Sequence, residues 1–243
     1  MTGPDVVVHS GGDLLAAAAA ARLITKLVDA QAARGLASLV LTGGRTGNAV
    51  MEHVRDSPAR DAVDWSRVDF YWGDERFLPS GHADRNETQA RAALLDHIAL
   101  DPSRVHVMEA SDGRFGDDPD AAAADYARVL GSPVPAFDVL LLGVGEEGHT
   151  ASIFPDSPAV HEESLTVVAV RDCPKPPPTR VSLTLPAIRR AAEVWLMTTG
   201  EAKADPVAQA LAGASPVDIP AAGARGTHRT LWLLDSSAAA KLS

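Results

Sequence analysis

Residues 140–155 read LLLGVGEEGHTASIFP, and within this stretch an imidazole, His149, lies close to two carboxylates, Glu146 and Glu147. A carboxylate near an imidazole can orient the ring and raise its basicity, which suits general acid–base work on a small molecule. Gly143, Gly145 and Gly148 also spell G-x-G-x-x-G, the glycine spacing of a dinucleotide-binding turn. That use requires a helix of about ten residues or more to cross back over the sheet. Pro155 and Pro158 interrupt the segment that would have to form it, and proline inside a helix costs about 3 kcal/mol. The glycines therefore predict a tight turn that carries His149 and its acids, not a nicotinamide site.

Three further loops hold groups of complementary chemistry. LTGGRTGNAV, residues 41–50, follows an apolar run; Gly43 and Gly44 let backbone N–H groups point outward, and Thr46 is placed to cap a helix whose N-terminus favours an anion. The nucleotide P-loop lysine is absent, so the loop is expected to cradle a phosphate outside that class. YWGDERFLP, residues 71–79, sets Asp74, Glu75 and Arg76 side by side. Carboxylates crowded beside an arginine in a cleft serve as acids, bases or ligands of substrate hydroxyls. Arg180 opens the run TRVSLTLPAI, and Lys203 in TTGEAKA falls at a helix start, where its charge opposes the helix dipole unless an anion compensates it. Together these loops predict a pocket for a phosphorylated, hydroxyl-rich small molecule.

The elements that must position these loops alternate along the chain. Residues 13–34 read as a helix stopped by Gly35, and helices are also expected at 46–55, 84–97, 118–130 and 201–211. Strands are expected at 36–41, 68–72, 105–108, 137–142, 165–170, 180–185, 193–198 and 230–234. Several are apolar throughout, the mark of a mainly parallel sheet covered on both faces. Pro174 to Pro178 reads as a stiff loop between strands. With no internal repeat and no linker, residues 1–243 are expected to form a single domain. In such open sheets ligands bind outside the carboxyl ends of the strands, where all four loops fall.

Composition narrows the classes. The chain has 243 residues, 46% of them hydrophobic, and a formal net charge of −10. An acidic chain repels nucleic acid and anionic membrane, so neither is expected as a partner. The apolar block at residues 14–21 is too short to span a bilayer and lacks the layout of a secretory signal. Cys173 is the sole cysteine, so no internal disulfide can form. A cytoplasmic location is expected. Nothing beside Cys173 supplies a base that would make it a nucleophile. His9, His53, His82, His97, His106, His161 and His228 show no metal-ligand spacing, and no metal is expected. The oligomeric state is not legible, and a monomer is compatible with everything read.

The quoted motifs, TGGRT at 42–46, WGDERF at 72–77, LLGVGEEGHTASIFP ending at 155, TRVSLTLPAI at 179–188 and GEAKA at 200–204, together resemble the 6-phosphogluconolactonase family. The resemblance implies a three-layer α/β/α sandwich with a mainly parallel, Rossmann-like sheet, shared with glucosamine-6-phosphate deaminases. It implies hydrolysis of 6-phospho-D-glucono-1,5-lactone to 6-phospho-D-gluconate in the oxidative pentose phosphate pathway, with no cofactor. By position it makes His149 the catalytic histidine, assisted by Glu147 and Asp74, with Gly43, Gly44, Arg45, Thr46, Arg76, Arg180 and Lys203 binding substrate and its phosphate. The family often carries Asp where this chain has Glu147. The related deaminase is the alternative; its turn typically continues from the histidine into Asn-Glu-Pro, where this chain has Ile153-Phe154-Pro155. A non-enzymatic sugar-phosphate sensor is a third class, which an added DNA-binding segment would favour.

Overall fold

The computed structural model describes residues 3–242. Strands are numbered along the chain. Six of them, β1 (Asp5–His9), β2 (Ala37–Leu41), β3 (Val68–Trp72), β5 (Val139–Gly143), β8 (Glu193–Thr198) and β9 (Arg229–Asp235), form one sheet in the order β1-β9-β8-β5-β2-β3. Every pairing in it is parallel. The remaining three, β4 (Asp74–Arg76), β6 (Val167–Val170) and β7 (Arg180–Leu183), form a small antiparallel sheet in the order β4-β7-β6.

A parallel sheet hides both faces, so its central strands must be apolar on both sides. Val139 to Leu142 of β5 and all of β8 are buried accordingly. Helices flank the sheet on both sides. They are α1 (Gly12–Arg34), α2 (Gly44–Asp56), α3 (Asn86–Ala93), α4 (Pro119–Leu130), α5 (Leu185–Ile188) and α6 (Ala204–Leu211). Helix α1 buries Leu15, Ala19, Leu23 and Leu27 along one stripe of four-residue spacing. It ends at Gly35, whose φ of 77° is the left-handed cap that glycine adopts without penalty.

Strand order decides where a ligand can enter. From β2 the chain passes through α2 to β3 at one side, whereas β5 leads to β8 and β9 at the other. The reversal falls between β2 and β5, paired through Leu39–Val139 and Val40–Leu140. Loops leaving the carboxyl ends of such a pair diverge and open a crevice. Gly73 joins the two sheets: its N–H donates to Leu41 of β2 (3.0 Å) and its carbonyl accepts from Leu183 at the end of β7 (2.9 Å).

The structure departs from the sequence reading at several elements. Residues 105–108 form no strand; a single bridge joins Val105 to Phe70, because the segment leaves a 3-10 turn, Pro102–Arg104, and touches only the sheet edge. The helices expected at 84–97 and 201–211 each contain a 3-10 turn, at Leu95–His97 and Glu201–Lys203. The sequence reading expected neither β1 nor β4. Val6 and Val8 of β1 lie at the sheet edge and are exposed, and β4 is three residues of charge. Among the described residues, no helix is long and apolar enough to cross a membrane.

Candidate active site

The carboxyl ends of β2, β3, β5 and β8 surround a cavity of about 270 Å³, at the small end of ligand sites. Gly43, Gly44, Arg45, Thr46, Asp74, Arg76, His149, Arg180 and Lys203 all line it. Four loops distant in sequence therefore meet where the strand order predicts a crevice. Glu147 is not in the lining; it stands behind His149 instead.

The first wall is the turn into α2. Gly44 adopts φ 84°, a left-handed conformation that admits glycine and strains other residues. Gly43 is the N-cap and no side chain caps the helix, so its first N–H groups are left for a ligand. Thr46 does not cap, contrary to the sequence reading: it lies inside α2, and its hydroxyl meets that of Thr199 at 3.3 Å, tying this turn to the loop after β8.

The second wall is the Asp74–Arg76 strand, where alternation splits the two acids. Asp74 lines the cavity with both carboxylate oxygens engaged. Oδ2 accepts from Ser152 Oγ (2.5 Å) and lies 4.0 Å from Arg180 Nη1, and Oδ1 accepts from Asn86 Nδ2 (3.3 Å). Glu75 points into the interior and caps α3 from outside the helix. It accepts from the backbone N–H groups of Asn86 (2.6 Å), Glu87 (2.8 Å) and Arg76 (2.7 Å). Burial pushes its carboxyl from 4.5 up to about 7, against the pull of Arg85 and these three donors. Arg76 returns to the cavity, its Nη1 held by Asp84 O (3.0 Å) and Asn86 Oδ1. Its Nε and Nη2 have no protein partner among the described residues.

The third wall carries the imidazole. Gly145 N–H donates to His149 O (2.9 Å) and Gly148 N–H to Gly145 O (3.1 Å), closing the turn on itself. Those two amides are therefore spent and cannot serve a ligand. A Cβ on Gly145 would fall 2.0 Å from His149 Nδ1, so only glycine leaves room for the ring. The ring packs on Phe154 at 4.4 Å between centroids. Glu147 Oε2 lies 3.2 Å from Nδ1, off the line of a well-formed hydrogen bond, and Nδ1 is buried. Nε2 is the nitrogen left for the cavity. Burial lowers the pKa of His149 below the ordinary histidine range; Glu147 opposes that and Lys175 adds to it. Burial also pushes the Glu147 carboxyl up, but its own backbone N–H, Lys175 and His149 outweigh this and hold it below its usual value. After Gly148 the chain makes turns and forms no crossover helix, as the prolines require.

The fourth wall supplies cations. Arg180 is buried and spends Nε and Nη2 on the carbonyls of Lys175, Pro176 and Pro177, each at 3.2 Å. Nη1 remains on the Asp74 side. Lys203 ends a 3-10 turn before α6, and its ammonium pairs with Glu146 Oε1 at 2.9 Å. The dipole conflict expected at this lysine is thus met within the chain by Glu146. Among the described residues, no cluster of three or more His, Cys, Asp or Glu could hold a metal.

Sequence reasoning missed Asn86 and Lys175. Asn86 touches two walls at once: its amide reaches Asp74 and Arg76, and a Cβ on Gly43 would fall 1.8 Å from its Oδ1. Asn86 follows Arg85 at the start of α3, so an Asn at a helix start was the only signal, and that signal normally reads as a cap. Lys175 sits among prolines and pairs with Glu147 Oε2 at 3.0 Å; nothing in its local sequence points to the site.

Fold and site together define a class. Residues 11–232 match the family described as glucosamine-6-phosphate isomerases/6-phosphogluconolactonase, and the chain belongs to that family. It is 61% identical over 247 residues to the 6-phosphogluconolactonase of Streptomyces coelicolor, covering 98% of this chain and 95% of that one. To the protein of the same name from Mycobacterium tuberculosis it is 52% identical, covering 98% of each. Among solved structures, 6-phosphogluconolactonase from Trypanosoma brucei superposes with a TM-score of 0.86 at 27% identity, over 100% of both chains. A monomeric glucosamine-6-phosphate deaminase shares the fold at a TM-score of 0.81 and 20% identity, over 97% of this chain and 99% of that one.

Two outcomes follow from this geometry. Gly145→Ala should displace the His149 ring and lower kcat by about 10²-fold with the fold intact; wild-type turnover would show that the ring tolerates the methyl group. Glu75 has a folded-state pKa of about 7, above the ordinary 4.5. Its contribution to stability is therefore complete below pH 4.5 and is lost as pH rises through 7, a change of about 3 kcal/mol. Denaturant unfolding of wild type and Glu75→Gln should show the wild type gaining on the variant by about 2–3 kcal/mol at pH 5 relative to pH 8. A difference independent of pH would mean that the carboxylate stays ionised across the range.

Proposed function

We propose that this chain hydrolyses 6-phospho-D-glucono-1,5-lactone to 6-phospho-D-gluconate, a step of the oxidative pentose phosphate pathway, with His149 as the general base. The observation that carries this reading is the meeting of a half-buried imidazole, its pKa held below the ordinary histidine range, with an uncapped glycine turn, Arg180 and Lys203 around one small cavity. The relatives named 6-phosphogluconolactonase, at 61% and 52% identity over nearly the whole chain, support the substrate.

A δ-lactone is already an activated ester and needs no covalent nucleophile. In the proposed reaction His149 Nε2 takes a proton from water as the water oxygen bonds to C1. The C1 carbonyl oxygen becomes an oxyanion. As it collapses, the bond from C1 to the ring oxygen breaks and the imidazolium returns the proton to that oxygen. The product acid then ionises. Acid–base help of this kind contributes about 10²–10⁴-fold. Since the Gly145 and Gly148 amides bond within the turn, the free N–H groups of Arg76 are the better-placed donors to the oxyanion. Asp74, with both oxygens engaged, acts by holding Ser152, Asn86 and Arg180 in place. The turn at 43–46, Arg180 and Lys203 hold the phosphate, and binding energy there orients the distant carbonyl.

His149→Ala should lower kcat by about 10²–10⁴-fold and leave the affinity for phosphorylated ligands nearly unchanged. A coupled assay on freshly generated lactone, corrected for spontaneous opening, measures it; unchanged turnover removes His149 from the chemistry. The wild-type protein should open the lactone and release no ammonia from glucosamine 6-phosphate, and ammonia release without lactonase activity would reverse the assignment. Lys203→Ala should raise KM for the phosphorylated lactone about tenfold or more while leaving an unphosphorylated lactone unaffected. Equal losses on both substrates would contradict a phosphate role.

A further inference from the structure

We propose that Lys175 is a positioning residue that keeps His149 neutral by competing with it for one oxygen of Glu147. The inference deepens the reading of His149 as a base and rests on it only where activity is the readout.

The geometry is a three-member chain with a single shared atom. Glu147 Oε2 accepts from Lys175 Nζ at 3.0 Å and stands 3.2 Å from His149 Nδ1. The ammonium donates to this oxygen, whereas Nδ1, although buried, has no hydrogen-bond partner among the described residues. A lone carboxylate beside an imidazole raises the ring's affinity for a proton. Here that carboxylate is already committed to a cation, so an imidazolium would gain less from it. A second positive charge next to the ring then adds direct repulsion.

The arm that delivers Lys175 is fixed. The Lys175 carbonyl accepts from the Cys173 thiol (2.8 Å) and from Arg180 Nη2 (3.2 Å). The Pro177 carbonyl likewise accepts from Cys173 (3.3 Å) and from Arg180 Nε (3.2 Å). A loop between strands, stiff with prolines and pinned by a buried guanidinium, thus holds the base of a side chain whose ammonium reaches out to Glu147. This gives the proline run a purpose that the hydrolysis itself does not require.

Every charged group around the ring enters the balance. Glu147 comes from its own turn and Lys175 from the proline loop. Asp74 and Arg76 face the cavity from β4, Arg180 from β7 and Lys203 from the start of α6. Phe154 covers one face of the ring without charge. Burial is the largest influence and disfavours the imidazolium; Glu147 and Asp74 favour it, and Lys175 disfavours it. Lys175 therefore works in the same direction as burial and offsets the nearest carboxylate.

The test is Lys175→Met with two independent readouts. The first is the titration of the His149 Cε1 proton by NMR in ¹³C-histidine-labelled protein, assigned with His149→Gln. The second is the pH profile of kcat/KM on the phosphorylated lactone. The expected result is a titration midpoint that moves to higher pH and an acid limb that moves with it. The ratio of activity at pH 6 to that at pH 8 should fall by about two- to fivefold, the scale of a half-exposed ion pair. Lys175→Arg should restore both. In a Glu147→Gln background, Lys175→Met should move the midpoint less, because the shared oxygen has lost its charge. An NMR midpoint unchanged by Lys175→Met overturns the proposal. A midpoint that moves without the acid limb supports the tuning by Lys175 and overturns His149 as the base.

Discussion

The carboxyl ends of parallel strands all emerge at one edge, and that constraint decides what the rest of this molecule can do. Strands β2 and β5 are neighbours, yet the chain departs from them in opposite directions. Their loops cannot pack on each other, so a gap must open between them. One loop brings glycines and the free start of a helix; the other brings an imidazole. The antiparallel sheet then closes the gap from the side, because Gly73 diverts the chain out of β3 directly into β4. Each wall follows from a connection that the sheet order already imposes.

Within that frame a buried carboxylate fixes the finer geometry. Glu75 gathers the backbone donors of Arg76, Asn86 and Glu87 around itself, which locks β4 to the beginning of α3. Asn86 is thereby held where its amide reaches Asp74 and Arg76 while its oxygen rests against Gly43. Loss of water around Glu75 is severe enough to push its carboxyl to about 7. An interior acid of this kind adds little stability at neutral pH. Its value lies in leaving β4, α3 and the first glycine turn a single relative placement.

The parts legible in the sequence are those written in local pattern. Apolar runs announced β2, β3, β5 and β8, and glycines after them marked the turns that line the cavity. Proline at 155 argued against a crossover helix, and none forms. What was not legible depends on partners far away in the chain. Strand β4 is three charged residues and exists because β7 pairs with it. Thr46 has the chemistry of a cap but meets Thr199 instead, a contact that only the folded loops create. Asn86 and Lys175 become part of the site through tertiary contacts 11 residues (to Glu75) and 28 residues (to Glu147) along the chain, and no periodicity encodes these. The single bridge at Val105 shows the converse, an apolar run that touches the β3 edge at one residue and does not zip onto it.

The ion pair between Lys203 and Glu146 has a consequence for occupancy. If Lys203 holds the phosphate as proposed, the incoming anion competes with Glu146 for the same ammonium, so association is in part an exchange of counter-ions. The free energy of capture is then the difference between two attractions of similar size. Such a swap favours dianions over monoanions and weakens the grip without dulling the choice. Because Glu146 stands at the surface and can reclaim the lysine, departure of the phosphate in the proposed reaction would be assisted from within the chain, which suits a site that must empty after every cycle.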